Sequence, residues 1–169
     1  MKTLYLVRHA KSDKNDMDLE DIDRPLNSRG YREAHMMGRS LDENKLLPDL
    51  IISSPAIRAL TTALIFCRNF KMDPSEISIN ADLYETSVKQ YLQVIKQTPD
   101  AINSVMLFAH NPTISDLMSA FIAPPTDTLP TCAVIGIQFP SDLTEWKKID
   151  TAKGKLVLYD FPKNKLINN

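Results

Sequence analysis

Long apolar runs, an excess of charge of one sign and closely spaced cysteines are all missing from this sequence of 169 residues. No apolar stretch approaches the roughly 20 residues that a membrane-spanning helix needs, which argues against a transmembrane protein. Twenty Lys and Arg residues stand against twenty-one Asp and Glu residues, so the basic surplus typical of nucleic-acid binding is absent. We therefore expect a protein that binds neither membranes nor nucleic acid.

Metal and disulfide chemistry also lack their usual sequence signals. Cys67 and Cys132 lie far apart in the chain, and the three histidines form no HxH pair. We expect two reduced thiols, no metal site and no cofactor. The first apolar stretch is too short for the core of a signal peptide and ends at Arg8, which predicts a cytoplasmic protein.

Strand and helix patterns alternate along the chain, and no linker divides residues 1–169, so we expect a single domain. Apolar runs predict strands at residues 4–7, 50–53, 77–79, 105–109, 133–139 and 155–161. Helices are predicted from Ser28 to about Asn44, after Ser54 as N-cap with Pro55 in the first turn, after Ser87, and from Thr113 to Phe121. This order predicts a three-layer α/β/α sandwich with a mixed, mostly parallel sheet.

Polar side chains follow three of the predicted strands, at the point where each strand ends. Arg8 and His9 follow the first strand, Ser54 and Arg58 follow the second, and His110 follows the strand at 105–109. The carboxyl ends of parallel strands meet at one edge of a sheet, where α/β proteins bind their ligands. The sequence therefore predicts that these side chains converge.

Two arginines and two histidines form an unusual set of converging groups. Guanidinium groups match phosphate oxygens and stay charged at any working pH. A histidine between two such cations resists protonation, so its neutral imidazole can act as a nucleophile. The chemistry that this set predicts is phosphoryl transfer to a histidine nitrogen, followed by hydrolysis.

Three segments, in order, resemble the motifs of the histidine phosphatase superfamily, the phosphoglycerate mutase-like group. They are LVRHAKS at 6–12, SSPAIRALTTA at 53–63 and FAHNP at 108–112. DIDRPLNSRG at 21–30 and LYE at 83–85 resemble its SixA-type phosphohistidine phosphatase branch in particular. The resemblance implies a phosphoglycerate mutase-like fold, and Ala10 and Ala109 depart from it where glycine is common.

The resemblance also implies a role for each matching position. His9 would be the phosphorylated nucleophile, and Arg8, Arg58 and His110 would line the phosphate pocket and stabilise the transferring group. Asn15 falls where larger relatives carry an asparagine of the phosphate pocket. Glu85 is the candidate general acid, although a carboxylate at the start of a helix is also favoured there by the helix dipole.

Acidic residues crowd the segment 13–23, which contains Asp13, Asp16, Asp18, Glu20, Asp21 and Asp23. An EF-hand that began at Asp13 would need glycine at Asp18 and glutamate at Arg24, so a calcium loop is not predicted. A solvated loop is the simplest interpretation. Beside the pocket, it would place negative charge on the rim and disfavour polyanionic substrates.

These observations predict a metal-independent phosphatase whose preferred substrate is phosphohistidine in another protein. The chain is short and lacks the long insertions that form lids in mutase relatives, and an open pocket suits a protein substrate. Two alternatives remain open on the sequence. One is a small-molecule phosphomonoesterase that uses the same residues with a competent general acid. The other is a phosphate-binding module without turnover.

Overall fold

The computed structural model describes residues 1–15, 18–151 and 153–167, and their backbone forms one six-stranded sheet with five α-helices. The strands are β1 (Thr3–Arg8), β2 (Leu50–Ser53), β3 (Ser78–Ile79), β4 (Ser104–Ala109), β5 (Val134–Gln138) and β6 (Lys155–Asp160). Their order in the sheet is β3-β2-β4-β1-β5-β6. Neighbours from β3 to β1 are parallel, whereas β5 runs antiparallel to both β1 and β6.

Helices cover both faces of the sheet. They are α1 (Ser28–Glu43), α2 (Ile57–Asn69), α3 (Val88–Lys96), α4 (Thr113–Phe121) and the short α5 (Pro162–Ile167), which the apolar pattern did not predict. Side chains alternate along β1, so Tyr5 and Val7 pack with α1 and α2, while Leu4 and Leu6 pack with α3 and α4. Two buried clusters thus flank the sheet, and the predicted three-layer arrangement is confirmed.

Two predicted helix starts differ from the structure. The N-cap of α1 is Asn27, whose side chain accepts from the Gly30 N–H, so Ser28 is the first helical residue rather than the cap. α2 begins at Ile57 instead of next to Ser54, and Ala56 precedes it without a side-chain cap. The reason is tertiary, because the Ser54 hydroxyl lies 2.7 Å from His110 Nε2. The predicted cap of α3 is confirmed, because the Ser87 side chain accepts from the Gln90 N–H, and α4 has the predicted bounds, Thr113–Phe121.

Among the described helices, none has the length and apolar character needed to cross a membrane.

Candidate active site

Three strand ends bring the predicted site residues together at one edge of the sheet. β4 lies between β1 and β2, and all three run parallel. The His9 N–H donates to the Ala109 carbonyl at 3.2 Å, and the Ser54 N–H donates to the Phe108 carbonyl at 3.0 Å. The ladders thus continue one residue past the strands, and the rings of His9 and His110 stand 5.3 Å apart, centroid to centroid. They line a cleft of about 570 Å³ together with Arg8 and Arg58.

His9 is buried, and a hydrogen bond from one of its ring nitrogens fixes the tautomer. Its Nδ1 lies 2.7 Å from the Ala10 carbonyl, which can only accept, so Nδ1 carries the hydrogen and Nε2 keeps its lone pair. Burial, opposed by the bond to Ala10 and reinforced by the nearby His110, Arg58 and Arg8, lowers the pKa of His9 to about 3. The ring is therefore neutral at pH 7, the state that a nucleophilic imidazole requires.

His110 is also neutral, and a serine sets its hydrogen. Burial, followed by the charge of Arg58, lowers the pKa of His110 to about 4. The Ser54 hydroxyl accepts from the Ala56 N–H at 3.3 Å and lies 2.7 Å from His110 Nε2, so it can donate its own hydrogen to that nitrogen when Nε2 is unprotonated. That arrangement puts the ring hydrogen of His110 on Nδ1, a buried nitrogen without a protein partner among the described residues. His110 then acts as a hydrogen-bond donor to a ligand.

Arg8 and Arg58 each donate to the protein through Nη nitrogens, while Nε has no partner among the described residues. Arg8 Nη1 donates to the Leu129 carbonyl at 2.7 Å. Arg58, only 5% exposed, donates through Nη1 to the Asp21 carbonyl and through Nη2 to Asp21 Oδ2 at 2.7 Å. The buried Nε of each arginine has no partner in the described part of the chain. Unpartnered buried donors are rare in folded proteins, and both arginines that carry them here line the cleft.

Thr62 links the nucleophile to the arginine helix. Its Oγ1 accepts from the Ala10 N–H at 3.0 Å and donates to the Arg58 carbonyl at 2.6 Å. The backbone after His9 and the first turn of α2 are thereby held by one buried side chain. The position of His9 relative to Arg58 is set before any ligand binds.

Asp21 is the residue of the cleft whose role the sequence did not reveal. It lies in a 3-10 helix, Asp21–Asp23, and its carboxylate contacts Arg58, Arg24 and the Tyr84 hydroxyl, the last at 2.9 Å. Burial raises its pKa, but the hydrogen bonds from Arg58 and Tyr84 outweigh this and lower it. Partial burial, followed by the hydrogen bond to Asp21, raises the pKa of Tyr84 to about 12. The DIDRPL motif, of which Asp21 is the first residue, was the only sequence signal that could have pointed to it.

The two remaining predicted residues differ in position. Glu85 lines the cleft and is exposed, with φ of 46° in the left-handed region. Asn15 is exposed, is not among the described residues that line the cleft, and bonds through its N–H to Asp13 Oδ1 at 2.9 Å. The structure therefore brings Glu85 to the site and leaves Asn15 outside it.

The expectation that segment 13–23 makes the rim negative is wrong for the described residues. Of its acidic side chains only Asp21 lines the cleft, while Asp16 lies outside the described residues. Lys14 of this segment lines the cleft, as do Lys11 just before it and Arg24 just after it. Charges in a sequence do not show which side chains reach a cleft, and the described acids of this segment other than Asp21 are not among the residues that line it.

Metal ligation has no visible basis in the part of the chain that the structure describes. No group of three or more His, Cys, Asp or Glu side chains there could hold a metal ion. Both cysteines are buried free thiols.

The sequence and the fold of this chain were compared with those of known proteins, and they match one family. Residues 4–100 match the model of the histidine phosphatase superfamily, branch 1. A structure assigned as the phosphohistidine phosphatase SixA of Agrobacterium tumefaciens is 27% identical, with a TM-score of 0.80, over 95% of this chain and 98% of that one. The protein histidine phosphatase SixA solved with tungstate, 20% identical, shares the fold with a TM-score of 0.77 over 96% and 99% of the chains.

Curated relatives are longer than this chain. An uncharacterized chloroplastic protein of Arabidopsis thaliana is 35% identical over 121 residues, which cover 65% of this chain and 54% of that protein. The chain thus spans about half the length of this relative. The match to the family model, the order of the motifs and the shared fold agree: the chain belongs to the histidine phosphatase superfamily, branch 1, and has the phosphoglycerate mutase-like fold of the SixA-type proteins.

Proposed function

We propose that the protein is a phosphatase that works through a phosphohistidine intermediate on His9. The observation that carries the proposal is the pairing of a neutral His9, with its lone pair on Nε2, and unpartnered buried donors around the same cleft. Nε2 attacks phosphorus, the bond from phosphorus to the leaving group breaks, and the leaving group takes a proton. Water then attacks the phosphohistidine, releases orthophosphate and restores the neutral ring.

The charge of the transferring group is balanced by side chains. Nε of Arg8, Nε of Arg58 and Nδ1 of His110 are the donors proposed to hold the three oxygens that do not react. They are in place before the reaction, so stabilising the transition state requires little rearrangement. Binding of the phosphoryl group needs no metal in this proposal, because the guanidinium groups supply the positive charge.

Phosphohistidine in a protein is the substrate that we propose. The name of the Agrobacterium structure, a phosphohistidine phosphatase, supports this class. The imidazole of phosphohistidine leaves more easily than an alkoxide, so the reaction depends little on a strong general acid. The exposed Glu85 in the cleft favours a second candidate, the hydrolysis of small phosphate esters, for which it would protonate the leaving oxygen.

Rapid quenching with a ³²P-labelled substrate tests the covalent step. Phosphate should be trapped on His9, stable to base and labile to acid, and His9→Ala should trap none and turn nothing over. His35→Ala is the matched control, because His35 is exposed on α1 and outside the cleft lining, and it should behave as wild type. Turnover in His9→Ala would contradict the mechanism, and phosphate binding by wild type without a trapped intermediate would indicate a binding module.

A further inference from the structure

One wall of the cleft carries more positive charge than a phosphate group needs. The described lining contains five cationic side chains against two carboxylates, Asp21 and Glu85, while both histidines are neutral at pH 7. The surplus is three positive charges. A phosphate monoester carries a charge of about −1.5 to −2 at this pH, so roughly one positive charge remains unmatched beside a bound phosphate.

The surplus is concentrated on the loop after β1. Lys11, Lys14 and Arg24 lie there, whereas the lining residues at 84–86 and 111–113 contribute the acid Glu85 and no cation. Neither lysine ammonium has an ion pair within residues that the structure describes.

The loop that carries these cations is held in place by its own backbone. Ser12 and Leu26 form an antiparallel bridge, the Asp13 N–H donates to the Pro25 carbonyl at 2.8 Å, and the Asn27 N–H donates to the Lys11 carbonyl at 3.0 Å. Gly30 packs so closely that a Cβ there would stand 2.1 Å from the Lys11 carbonyl oxygen. The cationic wall is therefore fixed against α1 in the free protein.

Arg24 lies directly beside the phosphate pocket. Its Nη2 contacts Asp21 Oδ1, and Arg58 Nη2 contacts the other oxygen of the same carboxylate, so one carboxylate separates the two guanidinium groups. That single negative charge faces two positive ones. The Nε of Arg24 is buried without a partner among the described residues, as are those of Arg8 and Arg58.

We propose that Arg24, with Lys11 and Lys14, forms a second anion subsite that takes a carboxylate located a few bonds from the transferred phosphate. The proposal rests on the phosphatase function above and names a property of its substrates. A carboxylate fits better than a second phosphate, because it carries the one charge that the phosphate leaves unmatched. The carboxylate comes either from an acidic side chain beside the phosphorylated residue of a protein or from the acid group of a small phosphate ester.

Direct binding of phosphonates tests the subsite without requiring turnover. We would measure Kd by calorimetry for matched pairs with and without a carboxylate: phosphonoacetate and ethylphosphonate, and 3-phosphonopropionate and propylphosphonate. In the wild type, the carboxylated member of at least one pair should bind at least about tenfold more tightly, the lower end expected for one charge-assisted hydrogen bond. Equal affinities within both pairs would overturn the subsite.

Variants assign the preference to the cationic wall. Arg24→Gln should reduce the ratio within the preferred pair to near one, and Lys155→Gln should keep the wild-type ratio. Lys155 is exposed at the start of β6, which pairs with the end of β5 far from the cleft. Lys11→Gln with Lys14→Gln is the second variant, in case Arg24→Gln lowers Tm, and it should lower the ratio without touching the Asp21 contact. An unchanged ratio in both variants, or equal weakening of both members of a pair, would contradict the proposal.

Turnover distinguishes the two sources of the carboxylate. One arm compares phosphohistidine peptides with Asp or Ala next to the phosphohistidine, and the other compares 3-phosphoglycerate with glycerol 3-phosphate, each as kcat/KM. A preference of about tenfold in the peptide arm assigns the subsite to protein substrates, and one in the ester arm assigns it to small acids. No preference in either arm overturns the subsite while leaving the phosphatase function intact. Failure of every phosphonate to bind would contradict the phosphate pocket itself.

Discussion

Replacing Arg58 by lysine keeps the charge of this buried side chain but removes its planar fork. In the structure, two nitrogens of Arg58 contact Asp21, while the buried Nε has no partner among the described residues and is the proposed donor to the phosphate. A lysine ammonium is a point charge and cannot span both partners. Loss of one preorganised donor to the transferring group should lower the rate of His9 phosphorylation roughly 10²–10³-fold. Since the charge remains, KM should change far less than kcat.

Single-turnover rapid quench with an aryl phosphate measures this rate directly. The matched control is Arg68→Lys, at an exposed position near the end of the same helix. Arg68→Lys should phosphorylate His9 at the wild-type rate, and the Tm of both variants reports whether the fold persists. A wild-type rate in Arg58→Lys would refute the reasoning, because the fork would then contribute nothing to the transition state. A rise in KM with an unchanged rate of His9 phosphorylation would likewise refute it, because the fork would then contribute to substrate binding and not to the transition state.

Three further outcomes are expected. Activity should survive EDTA and be inhibited by vanadate; loss on chelation with recovery on adding zinc or magnesium would contradict this. Glu85→Gln should slow alkyl phosphate hydrolysis roughly 10²–10⁴-fold and aryl phosphate hydrolysis far less, whereas equal slowing of kcat/KM would exclude an acid role. The free energy of unfolding in urea should fall by about 1.4 kcal/mol for each of His9 and His110 between pH 7.5 and 5.5. In the unfolded chain each histidine binds a proton near pH 6.5, whereas in the folded protein His9 binds one only near pH 3 and His110 only near pH 4. A slope unchanged in His9→Asn would contradict that last assignment.

Apolar runs were sufficient to locate the strands whose ends carry the site. Residues 50–53 and 113–121 have the predicted bounds, and Arg8, His9, Arg58 and His110 converge as parallel strands require. These features depend on periodicity and on the direction of strands, both of which are local or topological. The sequence can therefore predict them without side-chain coordinates.

Features that depend on tertiary contacts were missed or misjudged. Ser54 looks like a helix cap until the ring of His110 is placed beside it, and Asp21 looks like one acid among six until Arg58 is seen against it. Local preference competes with such contacts and loses when the partner is buried. The same holds for the loop cations, because only the fold decides which charges of a mixed segment face the cleft.

The place of β4 in the sheet has a consequence for how the protein folds as it is synthesised. β1 and β2 share no hydrogen bonds in the described chain; each pairs with β4, which comes later in sequence. A nascent chain therefore carries two apolar segments, Leu4–Val7 and Leu50–Ile52, that have no central strand to pair with until Ser104–Ala109 has emerged. Unpaired apolar strands are prone to aggregate. Before that point only the first two helices can cover these segments. His9 and Arg58 are also not yet held in one sheet, because β4 is the strand that joins β1 to β2.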